Sequence, residues 1–347
     1  MDARRLNSSD SGGRASETRR AIRHRGHRAA ARSAREAGFR PGGFPSRLRL
    51  LVIGTAEHPE IAYALSQAAD FTEVEVAANV VAAIERGEST LATSQAAYVP
   101  PPHFAAPSLL DTQPRDPDAV MLVRVHRDDF SAADALSLRR AFPLAPIVAI
   151  CGAWLDGETR SGQPPPGVIL EPWWRFGLAA ARHAHAAGCG RPGPWSLATT
   201  FTPDERFEWF ADDEACFDAS PPRGTAVIST AHHVTFAGLC DVLKRWGFSC
   251  VWRRPGERID VAEGAVGVWD GATRFVDHGD LAEFCGTFRA PVVALLDVMR
   301  LGDVQTAQRA GASFVLRKLT LLADLRMAVE AAAARSLRLG ASARERL

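Results

Sequence analysis

The chain has 347 residues, of which 46% are hydrophobic and 23% charged, with a formal net charge of +1. That length leaves room for two domains of ordinary size, and so small a net charge argues against the whole molecule being a binder of polyanions. No uninterrupted apolar run approaches the ~20 residues a membrane helix needs, and six cysteines without a C-x-x-C pair predict reduced thiols in a cytoplasmic protein.

Residues 1–47 carry twelve Arg against four acids (Asp2, Asp10, Glu17, Glu36), with almost no apolar periodicity. Such a segment cannot bury enough surface to offset the entropy of ordering it, so a disordered basic tail is predicted. Binding of nucleic acid through this arm, or a role as a transit peptide, is the functional reading. A solvated tail or an upstream extension is the simpler one.

At Leu48 the pattern changes. LRLLVIG predicts a strand, and Pro59 to Ala69 the helix after it. A second strand is expected at Val74 to Val76 and a helix around Val80 to Arg86. Ser89 to Pro117, with Pro100, Pro101 and Pro102, predicts an inserted loop. Further strands are expected at Ala119–Val125, Pro146–Cys151 and Val168–Leu170, and helices at Ala132–Ala141 and Phe176–Ala187. This first unit spans 48–187. Residues 188–224, rich in Pro and acids, predict a linker whose Phe207, Trp209 and Phe210 pack on a neighbouring domain. The second unit, 225–335, contains the stretch PVVALLDVMRLGDVQTAQRAGASFVLRK. It predicts a strand at Val292–Leu296, a helix led by Asp303, and a strand at Phe314–Leu316. A helix with Leu322, Leu325 and Val329 on one face follows. A short tail, 336–347, ends the chain.

Short apolar runs alternating with helices predict parallel sheets with right-handed crossovers. The fold class expected is α/β, with two doubly wound, flavodoxin-like sheets in tandem. The units also resemble each other. Val52-Ile-Gly-Thr-Ala-Glu-His58 and Val227-Ile-Ser-Thr-Ala-His-His233 share five of seven residues, and Pro146-Ile-Val-Ala-Ile aligns with Pro291-Val-Val-Ala-Leu.

Pro291, the Ala310-Gly311-Ala312 helix end and Lys318 occur in the order and spacing of the last third of a receiver domain. The chain therefore resembles the receivers of two-component response regulators, in two degenerate copies. The resemblance implies a site at the carboxyl edge of each sheet: an acidic pair after the first strand for Mg²⁺, an acceptor Asp ending the third, a Thr or Ser ending the fourth and a Lys ending the fifth. In the second unit it places Asp270 at the acceptor and Lys318 at the lysine. Ser229 and Thr230 replace the acids, and Leu296 the hydroxyl residue. In the first unit Gly54 and Thr55 replace the acids, Val123 or Arg124 the acceptor, Cys151 the hydroxyl and Glu171 the lysine. Each charge pair at 4 Å is worth roughly 4 kcal/mol at an effective dielectric near 20 before desolvation, so losing two carboxylates facing a divalent ion removes several kcal/mol of metal affinity. Asp270 and Lys318 are then expected to form an ion pair, with Mg²⁺ relevant only to a working acceptor.

Other candidates are weaker. His183, His185 and Cys189 invite a metal reading, but residues two apart on a helix face different ways, so a helix-surface position is expected. His232 and His233 lack a carboxylate or Cys partner. No G-x-S-x-G, G-x-G-x-x-G or P-loop signature is present. GAWLDGETRSGQPPPG, between Cys151 and Val168, is too rich in Gly and Pro for the helix a receiver has there. Trp154, Arg160, Trp173 and Trp174 in and beside this loop are interaction candidates, with core or interface packing as the alternative. The sequence thus points to a non-catalytic signalling protein that acts on protein partners. Any homodimer is expected to form through 303–332, the face receivers use. A phospho-accepting regulator using Asp270 and Lys318, or an enzyme binding a small ligand near His58, Trp154 or His233, are the alternatives.

Overall fold

The computed structural model describes residues 47–87, 116–157, 165–197, 223–258, 264–271, 278–288, 290–318 and 320–344. The basic tail apart from Arg47, most of the inserted loop, Arg160 and the linker aromatics Phe207, Trp209 and Phe210 lie outside the described residues.

The first unit runs β1 (Leu48–Ile53), α1 (Pro59–Ala68), β2 (Thr72–Ala77), α2 (80–87), β3 (Ala119–Arg124), α3 (Ala132–Ala141), β4 (Ile147–Cys151), β5 (Ile169–Pro172) and α4 (Trp173–Gly188). The second runs β6 (Gly224–Ser229), α5 (His233–Arg245), β7 (Phe248–Arg253), β8 (Gly264–Asp270), α6 (His278–Thr287), β9 (Val292–Leu296), α7 (Leu301–Arg309), β10 (Ala312–Arg317) and α8 (Leu322–Arg344). The two sheets are five-stranded and parallel, ordered β2-β1-β3-β4-β5 and β10-β9-β8-β6-β7. Counted within each unit, both orders are 2-1-3-4-5, the flavodoxin-like doubly wound arrangement.

The strand sequences fit these positions. β3 and β4, in the middle of the first sheet, are buried along their whole length, and their runs AVMLVR and IVAIC are almost entirely apolar. β2, at the edge, alternates as TEVEVA and keeps only its two ends buried. α3 begins where expected because Ser131 and Asp134 form a capping box: each side chain accepts from the other residue's backbone N–H, at 3.2 and 2.8 Å. After β4 the chain makes a short 3₁₀ turn, Ala153–Leu155, whose Ala153 N–H donates to Glu60 on α1 at 2.8 Å.

Four expectations need correction. α4 starts at Trp173 rather than Phe176, since Trp173 is a core residue, packed edge-on against Tyr63 with centroids 5.6 Å apart. The close crossing of α4 over α1 uses Gly177, where a Cβ would come within 2.6 Å of Gln67 Cβ. His183 is not on the helix surface: it is buried, stacks on Trp195 at 4.9 Å and accepts the Trp195 N–H at 3.3 Å. Trp195, expected in the linker, thereby belongs to the first unit's core. Finally, α8 continues through Arg344, past the expected end near Arg335, and Leu322 at its start is exposed.

The units are joined along α1 and α4 of the first and α7, β10 and α8 of the second. One apolar cluster contains Ala64 and Phe176 from the first unit together with Val304 and Ala307 from the second. Gln308 donates to the Tyr63 hydroxyl at 3.0 Å, and burial pushes that phenol up to about 12. Fully buried Asp324 receives Arg175 Nε at 2.6 Å and Arg182 Nη1 at 2.9 Å. Arg317 reaches Asp156 at 2.8 Å. Three residues within the 303–332 face expected to mediate self-association, Gln308, Arg317 and Asp324, engage the first unit.

Candidate functional site

Asp270 closes β8 and lies at the carboxyl edge of the second sheet, buried beneath Lys318. Its Oδ2 accepts from the Thr230 hydroxyl at 2.7 Å, and its Oδ1 stands 2.8 Å from Lys318 Nζ. The latter contact is an ion pair without the alignment of a good hydrogen bond. Lys318 Nζ also contacts Asp297 Oδ1 at 3.0 Å and donates to the Gly271 carbonyl. Burial opposes the ammonium charge, but the close contacts with the Asp270 and Asp297 carboxylates outweigh it, holding Lys318 above the ordinary lysine value. The expected pairing of Asp270 with Lys318 is thus present, with Asp297 as a third member that the sequence reading missed. Asp297 directly follows β9, and an acid one step beyond a strand end was the available signal.

A second network lies beside it. Ser229, at one of the positions where the resemblance puts an acid, accepts from Arg253 Nη1 at 2.8 Å. The Arg253 guanidinium is 2% exposed, pairs with Asp280 at 3.0 Å, donates through Nε to the Glu257 carbonyl at 2.9 Å and lies 5.0 Å over the Phe284 ring. Asp280 also accepts from Trp269 Nε1 at 2.8 Å and Gly256 N–H at 3.1 Å. Burial works against its charge, yet these donors together hold its carboxyl below the usual range.

These residues do not fit a magnesium ion. Asp270 and Asp297 share one lysine, while the Ser229 and Thr230 hydroxyls are engaged by Arg253 and Asp270. Among the described residues no group of three His, Cys, Asp or Glu side chains is placed to hold a metal ion. Two fixed cations of the protein itself, Arg253 and Lys318, stand at this edge.

In the first unit, register decides between Val123 and Arg124. Ile53 pairs with Leu122 as Ile228 pairs with Val268, so Arg124 is the counterpart of Asp270. Arg124 is 1% exposed and donates to the Arg127 carbonyl at 2.6 Å. Glu171, at the lysine position, is raised by burial, which the neighbouring Arg175 at 3.2 Å only partly offsets. A cavity of about 600 Å³ opens at this edge between β1, β2 and β3.

The loop candidates separate. Trp154 is 85% exposed, Trp173 is core, and Trp174 is half-buried with the Arg317 guanidinium 5.8 Å from its ring. Trp173 is therefore withdrawn from any surface role by its packing. Arg160 lies outside the described residues. His232 stands at the N-cap position of α5 without a side-chain capping bond, and His233 packs edge-on against Trp252 at 5.3 Å. No helix among the described residues is long and apolar enough to cross a membrane.

No protein-family model matches the chain, and no curated protein matches it. Among solved structures, the receiver domain of the Francisella response regulator 1452 is 14% identical, with a TM-score of 0.29, covering 32% of this chain and 98% of its own. The E. coli RcsC C-terminus, with a linker region and phosphoreceiver domain, is 14% identical with a TM-score of 0.27, covering 86% and 97%. A putative two-component response regulator/GGDEF domain protein is 9% identical with a TM-score of 0.29, covering 84% and 99%. These structural neighbours are or contain receivers at low identity. The assignment of the fold rests on the strand order described above.

Proposed function

We propose that this chain is a non-catalytic signalling protein built from two degenerate receivers, which acts through contacts with protein partners. The observation that carries this reading is the placement of Lys318 between Asp270 and Asp297 at the acceptor edge. A phosphoryl group transferring to Asp270 would need a metal and open space there, whereas the carboxylate is already neutralised and capped by Thr230. The paired units support the same reading, since the first unit engages the face that a partner receiver would use. The test is ¹⁹F NMR of the full chain with beryllofluoride and Mg²⁺: no bound-fluoride resonance is expected. A resonance that disappears in Asp270→Asn would establish a phospho-accepting regulator instead. That second reading has one observation in its favour, the gathering of Asp270, Asp297, Thr230 and Lys318 at a single strand edge.

A further inference from the structure

The two units differ at one matched place in a way that opens space. In the second unit, Ser229, Arg253, Trp269 and Asp280 fill the crevice beyond β6, β7 and β8 with a closed network of hydrogen bonds. Their counterparts in the first unit follow from register. Ile53 pairs with Ala77 as Ile228 pairs with Trp252, so Gly54 matches Ser229 and Ala78 matches Arg253. The β1–β3 and β6–β8 registers match Val123 with Trp269. α3 and α6 begin equally far beyond these strands, at Ala132 and His278, so Asp134 matches Asp280. All four counterparts line the 600 Å³ cavity. Three fillers have become small, and the carboxylate has been kept.

We propose that this cavity binds a guanidinium group on a short aliphatic stem, placed as the Arg253 side chain is placed in the second unit. There the cation is received by an Asp at the start of the helix and by the face of a Phe ring. Here Asp134 occupies the same helical position, and Phe130 supplies an aromatic wall. Asp134 Oδ2 is taken by Ser131, leaving Oδ1 without a partner among the described residues. Asp129 adds a second carboxylate, with one oxygen accepting the Val125 and His126 N–H groups. No Lys or Arg is among the described lining residues, so an anionic ligand such as a phosphate would meet two acids with only the imidazoles of His58 and His126 to oppose them. Arg124, the nearest buried cation in sequence, alternates away from Val123 and Val125 and does not line the cavity. The volume falls within the roughly 300–1,000 Å³ of small-ligand sites.

The source of the guanidinium is either a free alkylguanidine or an arginine of a peptide. Titration calorimetry on the full chain would compare agmatine, its neutral ureido analogue and the blocked peptide Gly-Arg-Gly. Saturable binding of agmatine or of the peptide is expected, with the ureido compound weaker by about tenfold or more because a charge-assisted hydrogen bond is lost. Agmatine binding identifies a small-molecule site; binding of the peptide alone identifies an arginine-bearing partner. Ala78→Arg, which installs the second unit's own cation, should abolish binding and raise the melting temperature. Asp134→Asn should weaken binding by a similar factor, and Ala78→Arg leaves the α3 capping box untouched should Asp134→Asn fail to fold. The proposal is overturned if neither agmatine nor the peptide binds, if the ureido analogue binds equally well, or if Ala78→Arg binds as tightly as the native chain. None of these outcomes depends on whether Asp270 can be phosphorylated.

Discussion

Replacing Asp324 by Asn tests whether the two units form one cooperative body. The carboxylate is 0% exposed and receives Arg175 and Arg182, themselves only 15% and 10% exposed, at 2.6 and 2.9 Å. The substitution keeps the shape of the side chain but leaves two guanidinium groups facing an amide, with Glu171 still beside Arg175. Breaking a buried pair in this way costs about 3–5 kcal/mol, most of it the penalty of uncompensated buried charge. At about 2–4 °C per kcal/mol for a body of this size, the melting temperature should fall by about 6–20 °C. Because the residues lie on opposite sides of the seam, a single thermal transition should also broaden or split as the units uncouple. Circular dichroism and calorimetry read both effects. Asp156→Asn is the control. Its partnership with Arg317 spans the same seam but is 42% and 36% exposed, so screening should hold its loss below about 1 kcal/mol. A change of less than about 2 °C in Asp324→Asn, or one no larger than that of Asp156→Asn, would refute the view that this buried triad joins the units.

Two other outcomes follow from the same coordinates. Burial depresses His183 to about 4 from its ordinary 6.5, so the unfolded chain binds more protons than the folded one in that interval. Stability should therefore fall as pH drops from about 6.5 towards 4, by up to about 3 kcal/mol from this group. Urea unfolding of His183→Phe across that range should show a flatter slope than the native chain, and an unchanged slope would refute the assignment. Lys318→Met removes the cation shared by Asp270 and Asp297, so stability should fall by about 3–5 kcal/mol and become sensitive to millimolar Mg²⁺. A variant as stable as the native chain, or one indifferent to Mg²⁺, would show that Lys318 does not stand in for an ion.

Much of the architecture is legible in the sequence, because patterns of burial repeat locally. Central strands covered on both faces are continuous apolar runs, so β3 and β4 can be read almost to the residue. α3 is located by a capping box that needs only Ser131 and Asp134. The repeat at Val52–His58 and Val227–His233 marks the same strand-to-helix junction in both sheets. What escaped reading depends on contacts between residues far apart. Nothing near Arg253 announces that it will meet Ser229 and Asp280, 24 and 27 positions away. Asp324 reads as an ordinary first-turn acid of a helix until Arg175 and Arg182 are brought to it from the other unit. His183 and Trp195 form a pair only because the chain folds back after α4, so the periodicity of the helix alone places the histidine on the wrong side. For Trp173 the sequence offers an interaction role with core packing as the alternative, and Pro172 is the N-cap of a helix whose first side chain enters the core.

The central claim is that the protein's own cations, rather than a metal, occupy the acceptor edge of the second unit. Intact-mass measurement after incubation with acetyl phosphate and Mg²⁺ tests it most directly. The account predicts one unshifted mass for the native chain and for Asp270→Asn. A phosphoryl-sized gain in the native chain that is absent from Asp270→Asn would contradict it.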